Sequence, residues 1–179
     1  TPDSVYFNLV KMASEANMNM LRVWGGGYYL PDAFYDACDQ YGILVWQDFM
    51  FACAMYPGDT VFMNSVREEI SQQVKRLSSH PCIALFCGNN EISEGWNNWG
   101  WQKELKYTID DSATVWNMYA SIFRQMIPAV LSEFDPSRPY WPSSPSIGWG
   151  RPESMRSGDS HYWGVWWGKE PFEIYKVKT

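Results

Sequence analysis

Short apolar runs ending in polar residues alternate with amphipathic stretches of helical length, and this alternation limits the fold more than any other feature of the chain. The clearest run is Cys82-Ile83-Ala84-Leu85-Phe86-Cys87, preceded by Pro81 and cut off by Gly88-Asn89-Asn90-Glu91. An unbroken series of small and apolar residues predicts a strand covered on both faces. Met18 to Trp24 and Ile43 to Phe49 repeat the design and end in Arg22/Trp24 and Gln47/Asp48. Tyr140 to Pro145 is a shorter run leaving through Ser143 and Ser144, and His161 to Trp167, approached through Gly158-Asp159, reads as one more strand.

Helical spacing fills the intervals. Val5, Leu9, Met12, Ala13 and Ala16 predict a helix over Ser4–Ala16, and a second runs from Pro31 to Tyr41 with Gly42 as its stop. Phe62, Val66, Ile70 and Val74 mark one stripe of a third, Val61–Ser78. A fourth covers Ala113–Ser132, where Pro128 predicts a kink or an early end. Ile92 to Ser112, rich in Trp, Asn and charge, has no clear period and reads as a long excursion of functional type. Gly25-Gly26-Gly27 lacks the framework of a phosphate loop and predicts a sharp turn beside something bulky. Glu170 to Thr179 is left unassigned.

Strict alternation of this kind means βαβ units and a parallel sheet. A doubly wound sheet gathers its site at one crevice, whereas a barrel brings every strand end round one pocket. Polar or aromatic residues stand at the end of nearly every run here, which favours the barrel. A closed barrel needs eight strands and ~250 residues. The expectation is therefore an α/β chain forming a section of a TIM (β/α)8 barrel, about strands 2 to 6, as one partial catalytic domain over residues 1–179.

Composition removes several functions. The net charge of −6 argues against nucleic acid, which demands a basic surface. No apolar run approaches the ~20 residues of a membrane span. No signal peptide is visible, but the sequence starts at Thr1 without Met, so compartment stays open. A zinc site from His80, Cys82, Cys87 and His161 is disfavoured, because Cys82 and Cys87 fall on opposite faces of one strand; no metal and no cofactor are expected. The 11 Trp exceed what a core requires and suggest flat faces kept for a ligand such as a sugar ring. Glu91, a carboxylate hedged by apolar sequence at a strand end, is placed for a raised pKa and proton donation, against the plainer reading of a Gly-Asn turn with an exposed Glu.

Taken together, Asn19-Met20-Leu21-Arg22-Val23-Trp24-Gly25-Gly26-Gly27, Tyr41-Gly42-Ile43-Leu44-Val45-Trp46-Gln47-Asp48-Phe49, His80-Pro81, Gly88-Asn89-Asn90-Glu91 and Gly158-Asp159-Ser160-His161-Tyr162-Trp163 resemble the β-mannosidases of glycoside hydrolase family 2. The resemblance implies retaining hydrolysis of terminal β-D-mannose from a β-mannoside oligosaccharide or glycan. It implies Glu91 as general acid/base, Asn90 on the sugar 2-hydroxyl and Trp24 flanking the sugar. Arg22 would orient carboxylates, Tyr162 would bond the nucleophile, His161 and Asp48 would contact sugar or order the pocket, and Trp99 would wall the leaving-group side. Trp46, Trp116 and Trp141 are expected to pack rather than bind. The family's nucleophile, a Glu in a Ser-Glu-Phe-Gly-like string, has no match at a strand end, since Glu133-Phe134 and Glu94-Gly95 carry only fragments. The nucleophile is expected beyond Thr179, leaving this segment inactive alone and dependent on remaining domains of the same polypeptide. The resemblance is consistent with a periplasmic or secreted bacterial setting, or a lysosomal animal one. Alternatives are a β-galactosidase- or glucosaminidase-type member of the same family, a non-catalytic carbohydrate-binding domain, and a phosphate- or nucleotide-binding α/β domain, the last without any phosphate signature.

Overall fold

The computed structural model describes residues 1–156 and 158–177. Four parallel strands form one sheet in chain order: β1 (Met20–Val23), β2 (Leu44–Asp48), β3 (Ile83–Cys87) and β4 (Tyr140–Trp141). Helices α1 (Asp3–Glu15), α2 (Asp32–Tyr41) and α3 (Thr60–Leu77) precede the first three strands. Each crossover joins neighbouring parallel strands, as βαβ geometry requires. The alternation of side chains along a strand separates two jobs. Val23, Val45, Gln47 and Phe86 are buried, and the Tyr35 hydroxyl of α2 donates to Gln47 Oε1 at 2.6 Å, which places that strand face against the helices. Arg22, Trp46 and Asp48 project the other way, towards the site.

The first three helices end where their residues say they should. Gly42 terminates α2 at φ 70°, a left-handed cap with open space where a Cβ would stand, and the Asp59 carboxylate caps α3 by accepting from Val61 and Phe62 N–H. The expected excursion after β3 is partly ordered: it holds α4 (Ile92–Asn98) and α5 (Trp101–Glu104), and α6 (Ile109–Ala120) begins inside it. A reciprocal capping box between Thr108 and Asp111 nucleates α6 four residues earlier than the apolar stripe suggests.

Pro128 produces neither an end nor a break. A π turn over Ser121–Met126 joins α6 to α7 (Ile127–Phe134), with the Ile127 N–H reaching back to the Ile122 carbonyl. That shift releases the Phe123 carbonyl, which accepts from the Tyr140 hydroxyl at 2.7 Å. The lost backbone register thus fastens the helix to β4. Gly88, at the end of β3, lies beneath the same contact: a Cβ there would meet Tyr140 Oη at 2.5 Å and the Pro142 carbonyl at 2.4 Å.

One expected strand is absent. His161–Trp163 carries no ladder, and the chain then turns, with Trp167 N–H bonding the Trp163 carbonyl at 2.8 Å. The bond that would have extended a ladder is spent locally, so the sheet has four strands among the described residues rather than five. The tail forms a 3₁₀ turn over Phe172–Lys176, and Lys178 and Thr179 lie outside the described residues. No described helix is long and apolar enough to cross a membrane.

The triple glycine makes the expected close turn. A Cβ on Gly25 would lie 2.6 Å from both the Phe49 and the Phe51 carbonyls, which are backbone and have little room to yield. Gly25→Ala in the full-length parent protein should therefore lower the unfolding temperature more than Gly42→Ala. The first forces a backbone shift of about 1–3 kcal/mol, and the second only strains a left-handed residue by about 1 kcal/mol. Thermal unfolding of both variants checks the order.

Candidate active site

The floor of the site is an ion pair. Asp48, fully buried, accepts from Arg22 Nε (3.2 Å) and Trp46 Nε1 (2.9 Å) on one oxygen and from Arg22 Nη2 (2.8 Å) and Gly25 N–H (3.0 Å) on the other. Four donors on two oxygens compensate the desolvation of the charge. The guanidinium also lies over the Trp46 ring at 5.4 Å. Held in this way, Arg22 presents its remaining donors upward, Nη2 to Asn90 Oδ1 at 3.1 Å and Nη1 to His161 Nε2 at 3.0 Å.

The Gly88–Glu91 segment is stitched into both neighbouring loops. Asn90 N–H donates to the Phe51 carbonyl, Cys53 N–H to the Asn90 carbonyl, Glu91 N–H to the Ser144 carbonyl and Ser144 N–H to the Asn89 carbonyl, all within 3.0 Å. Asn89 is scaffold: its Oδ1 accepts from Ile92 N–H and Ser143 Oγ, and its Nδ2 donates to the Pro142 carbonyl. Glu91 occupies left-handed backbone at φ 65°, a conformation costly for a residue with a Cβ and maintained here by the surrounding bonds.

Glu91 meets His161 directly. Its Oε1 lies 2.7 Å from His161 Nδ1, while the Cys53 thiol donates to Oε2 at 3.5 Å. A guanidinium only donates, so the Arg22 contact requires His161 Nε2 to accept and leaves the ring proton on Nδ1, facing Glu91. Ser144 Oγ sits 2.9 Å from the same Nε2 and is itself tied to Asp159. The carboxyl of Glu91 is held below its ordinary value, chiefly by the His161 hydrogen bond; burial opposes this, and the hydrogen bonds from Cys53 and Asn90 reinforce it. The raised value expected from the sequence is overturned, because the apolar strand beneath Glu91 is outweighed by the polar groups that fold against it. Burial meanwhile pushes the Cys53 thiol up, which keeps it an S–H donor.

The polar cavity of about 360 Å³ above this floor is lined by Arg22, Trp24, Cys53, Asn90, Glu91, His161, Tyr162 and Trp163. It brings together all but two of the sequence-predicted site residues. Asp48 lies beneath it, out of reach of a ligand, and Trp99 lines an adjoining cavity on the other side of Glu91. Trp24 is a half-exposed rim, its indole folded back over Gly26. The Tyr162 hydroxyl donates to Glu170. Trp116 stacks between Trp96 and Tyr119, whereas Trp46 and Trp141 each spend an indole N–H on a carboxylate, Asp48 and Asp159 respectively. Cys53, Ser144 and Asp159 belong to the site and escaped the sequence reading; the Ser and Asp already stood in the strand-end and Gly-Asp stretches that pointed to it. His80 and Cys82 join Asp39 rather than Cys87 and His161: His80 Nδ1 and Cys82 N–H each bond the Asp39 carboxylate, tying the end of α2 to the start of β3.

The geometry has close counterparts. The chain is 43% identical to the β-mannosidase of Bos taurus over 168 residues, which is 87% of this chain and 18% of that protein. It is 40% identical to β-mannosidase B of Thermothelomyces thermophilus over 92% of its own length and 19% of the relative's. The solved β-D-mannosidase of Dictyoglomus thermophilum superposes with a TM-score of 0.81 at 44% identity, covering 99% of this chain and 21% of that one. The chain is a homologue of a segment of the β-mannosidases. A β-glucuronidase from Bacteroides uniformis, 20% identical with a TM-score of 0.65 over 78% of the chain, shares the fold. No protein-family model matches the chain. The chain spans about a fifth of the length of the β-mannosidases it resembles.

Removing the imidazole should raise the Glu91 pKa, since its largest lowering contact goes while burial stays. A carboxyl depressed in the folded state stabilises above its unfolded value and loses that contribution as pH falls through the folded one. His161→Ala in the full-length parent should therefore shift the Glu91 titration upward and shrink the acid-side fall in stability; a ¹³C-carboxylate titration reads the first, unfolding at stepped pH the second.

Proposed function

We propose that the full-length protein is a retaining exo-β-mannosidase and that this chain supplies the acid/base half of its catalytic barrel, about strands 2 to 5, the fourth observed strand being the last of them. The observation that carries the reading is Glu91 at the end of a buried parallel strand, facing a cavity whose floor is Arg22 and Asn90. Identity of 36–44% with β-mannosidases across most of the chain supports mannose as the sugar and disfavours the galactosidase-type alternative. The alternating parallel sheet disfavours a β-sandwich binding module.

In the mechanism, Glu91 protonates the glycosidic oxygen as the bond breaks, then takes a proton from the water that resolves the glycosyl-enzyme. Asn90, its Oδ1 occupied by Arg22 and its Nδ2 turned to Cys53, is positioned for the sugar 2-hydroxyl. Trp24 flanks the mannose. Retention requires a second carboxylate ~5–5.5 Å from the first. Glu91 is the one carboxylate among the described residues lining the polar cavity, so the nucleophile is assigned to the part of the polypeptide outside this chain, where Tyr162 would meet it. A carboxyl biased towards ionisation by His161 suits the base half of the cycle, and the negative nucleophile beside it would restore the proton needed for the acid half.

Glu91→Ala in the full-length enzyme tests the assignment. Turnover of an aryl β-mannoside should fall least for leaving groups that need no proton, and added azide should restore it with formation of β-mannosyl azide. Unchanged activity would return Glu91 to the role of a turn residue.

A further inference from the structure

The hydrogen bonds round Glu91 close into a ring that starts at Arg22. On one arm Arg22 Nη1 meets His161 Nε2 at 3.0 Å, and His161 Nδ1 meets Glu91 Oε1 at 2.7 Å. On the other, Arg22 Nη2 donates to Asn90 Oδ1 at 3.1 Å, Asn90 Nδ2 to Cys53 Sγ at 3.4 Å, and the Cys53 S–H to Glu91 Oε2 at 3.5 Å. Every donor on both arms points away from the guanidinium and towards the carboxylate, so each bond polarises the next. The backbone is bent to bring the thiol there. Cys53 stands at φ 51° and Glu91 at φ 65°, both left-handed and both costly for a residue with a Cβ. The bonds from Cys53 N–H to the Asn90 carbonyl (2.9 Å) and from Ala52 N–H to the Tyr56 hydroxyl (3.1 Å) hold the loop in that shape.

We propose that Cys53 is a positioning residue for the acid/base: its thiol closes this ring on Glu91 Oε2 and keeps that oxygen as the one that gives up and takes back the proton. The proposal rests on the reading of Glu91 as the acid/base and adds which oxygen works and what holds it. The two arms differ in strength. Oε1 faces an imidazole N–H at 2.7 Å, and a proton arriving there has to displace that donor. Oε2 faces a thiol, a weak donor that is given up at little cost. Sulfur is also a weak acceptor, so by turning its hydrogen it stays against Oε2 whether that oxygen is ionised or protonated. Burial raises the thiol pKa, and the S–H therefore persists through the range in which a carboxyl titrates. Asn90 holds the sulfur from the other side with one amide hydrogen and keeps its second for the sugar 2-hydroxyl. Cys53 stands outside the apolar core, so shortening its side chain leaves the core intact.

The pH profile of the full-length parent enzyme tests this. On phenyl β-mannoside, whose leaving group needs a proton, the alkaline fall in kcat/KM follows the acid form of Glu91. Cys53→Ala removes a donor to the ionised carboxyl, so Glu91 should keep its proton to higher pH. The alkaline limb should then move up by about half a pH unit, the size of one weak hydrogen bond. Cys53→Ser keeps a donor, and its limb should stay at the wild-type position or fall below it. Dinitrophenyl β-mannoside leaves without protonation. The ratio of kcat/KM for phenyl to that for dinitrophenyl should fall by roughly three-fold in Cys53→Ala and recover in Cys53→Ser. Arg22, Asp48, Glu94, Asp159, His161 and Tyr162, the other charged or titratable groups round the carboxyl, are the same in both variants, so the comparison isolates the thiol. A limb that stays in place in Cys53→Ala, limbs that move equally in both variants, or an unchanged ratio overturns the positioning role. An upward shift in Cys53→Ser overturns it even where Cys53→Ala fails to fold. A wild-type limb that survives Glu91→Ala overturns the acid/base reading itself, and the role of Cys53 with it.

Discussion

The site is built on the bond between Arg22 and Asp48. Asp48 has no solvent of its own, and every hydrogen bond to its carboxylate comes from a group that also shapes the pocket: a guanidinium, an indole and the backbone of the glycine turn. Burying such a pair contributes little net stability, but removing one partner leaves an uncompensated charge and costs about 3–5 kcal/mol. Its effect is on direction. With one edge of the guanidinium locked downward, the other can only point to Asn90 and His161, and through His161 to Glu91. Lysine, with a single ammonium, could hold Asp48 but could not hold all three.

How far the sequence reveals this depends on the range of the interaction. The first three strands and helices were legible because their signals are local: apolar runs, a left-handed glycine cap and a helical stripe. The motif residues at strand ends are legible for the same reason, and of the expected site residues all but Asp48 and Trp99 line one cavity. The failures are equally specific. His161–Trp167 has the composition of a strand but joins no ladder among the described residues, and strand composition does not say which strand lies alongside. The onset of α6 was missed although the Thr108-x-x-Asp111 signature was present, because the apolar stripe starts later than the cap. Cys53 reaches Glu91 from a different crossover, across 38 positions of sequence, and no local pattern announces that.

The direction of the Glu91 shift shows why a strand-end carboxylate cannot be judged from its own strand. Burial acts as the apolar neighbours suggest, but it is opposed by a histidine 70 positions away. That histidine is in turn fixed from behind by Ser144 and Asp159, so two further loops set the proton affinity of one side chain. Residues that do not line the polar cavity thereby influence the proton affinity of its carboxylate.

The π turn has a consequence for how this segment tolerates change in length. Residues after Met126 are rotated by one position relative to a regular helix, and that offset is what leaves the Phe123 carbonyl free for Tyr140. Deleting Ser121 or Ile122 would give a more regular helix, in which the Ile127 N–H returns to the Phe123 carbonyl and closes it. The hydroxyl of Tyr140 would then be buried without an acceptor, beside the backbone of Gly88, three residues from Glu91. The irregularity behaves as an inserted letter that the neighbouring strand has learned to read, so gaps should be rarer there than in the surface helices around it.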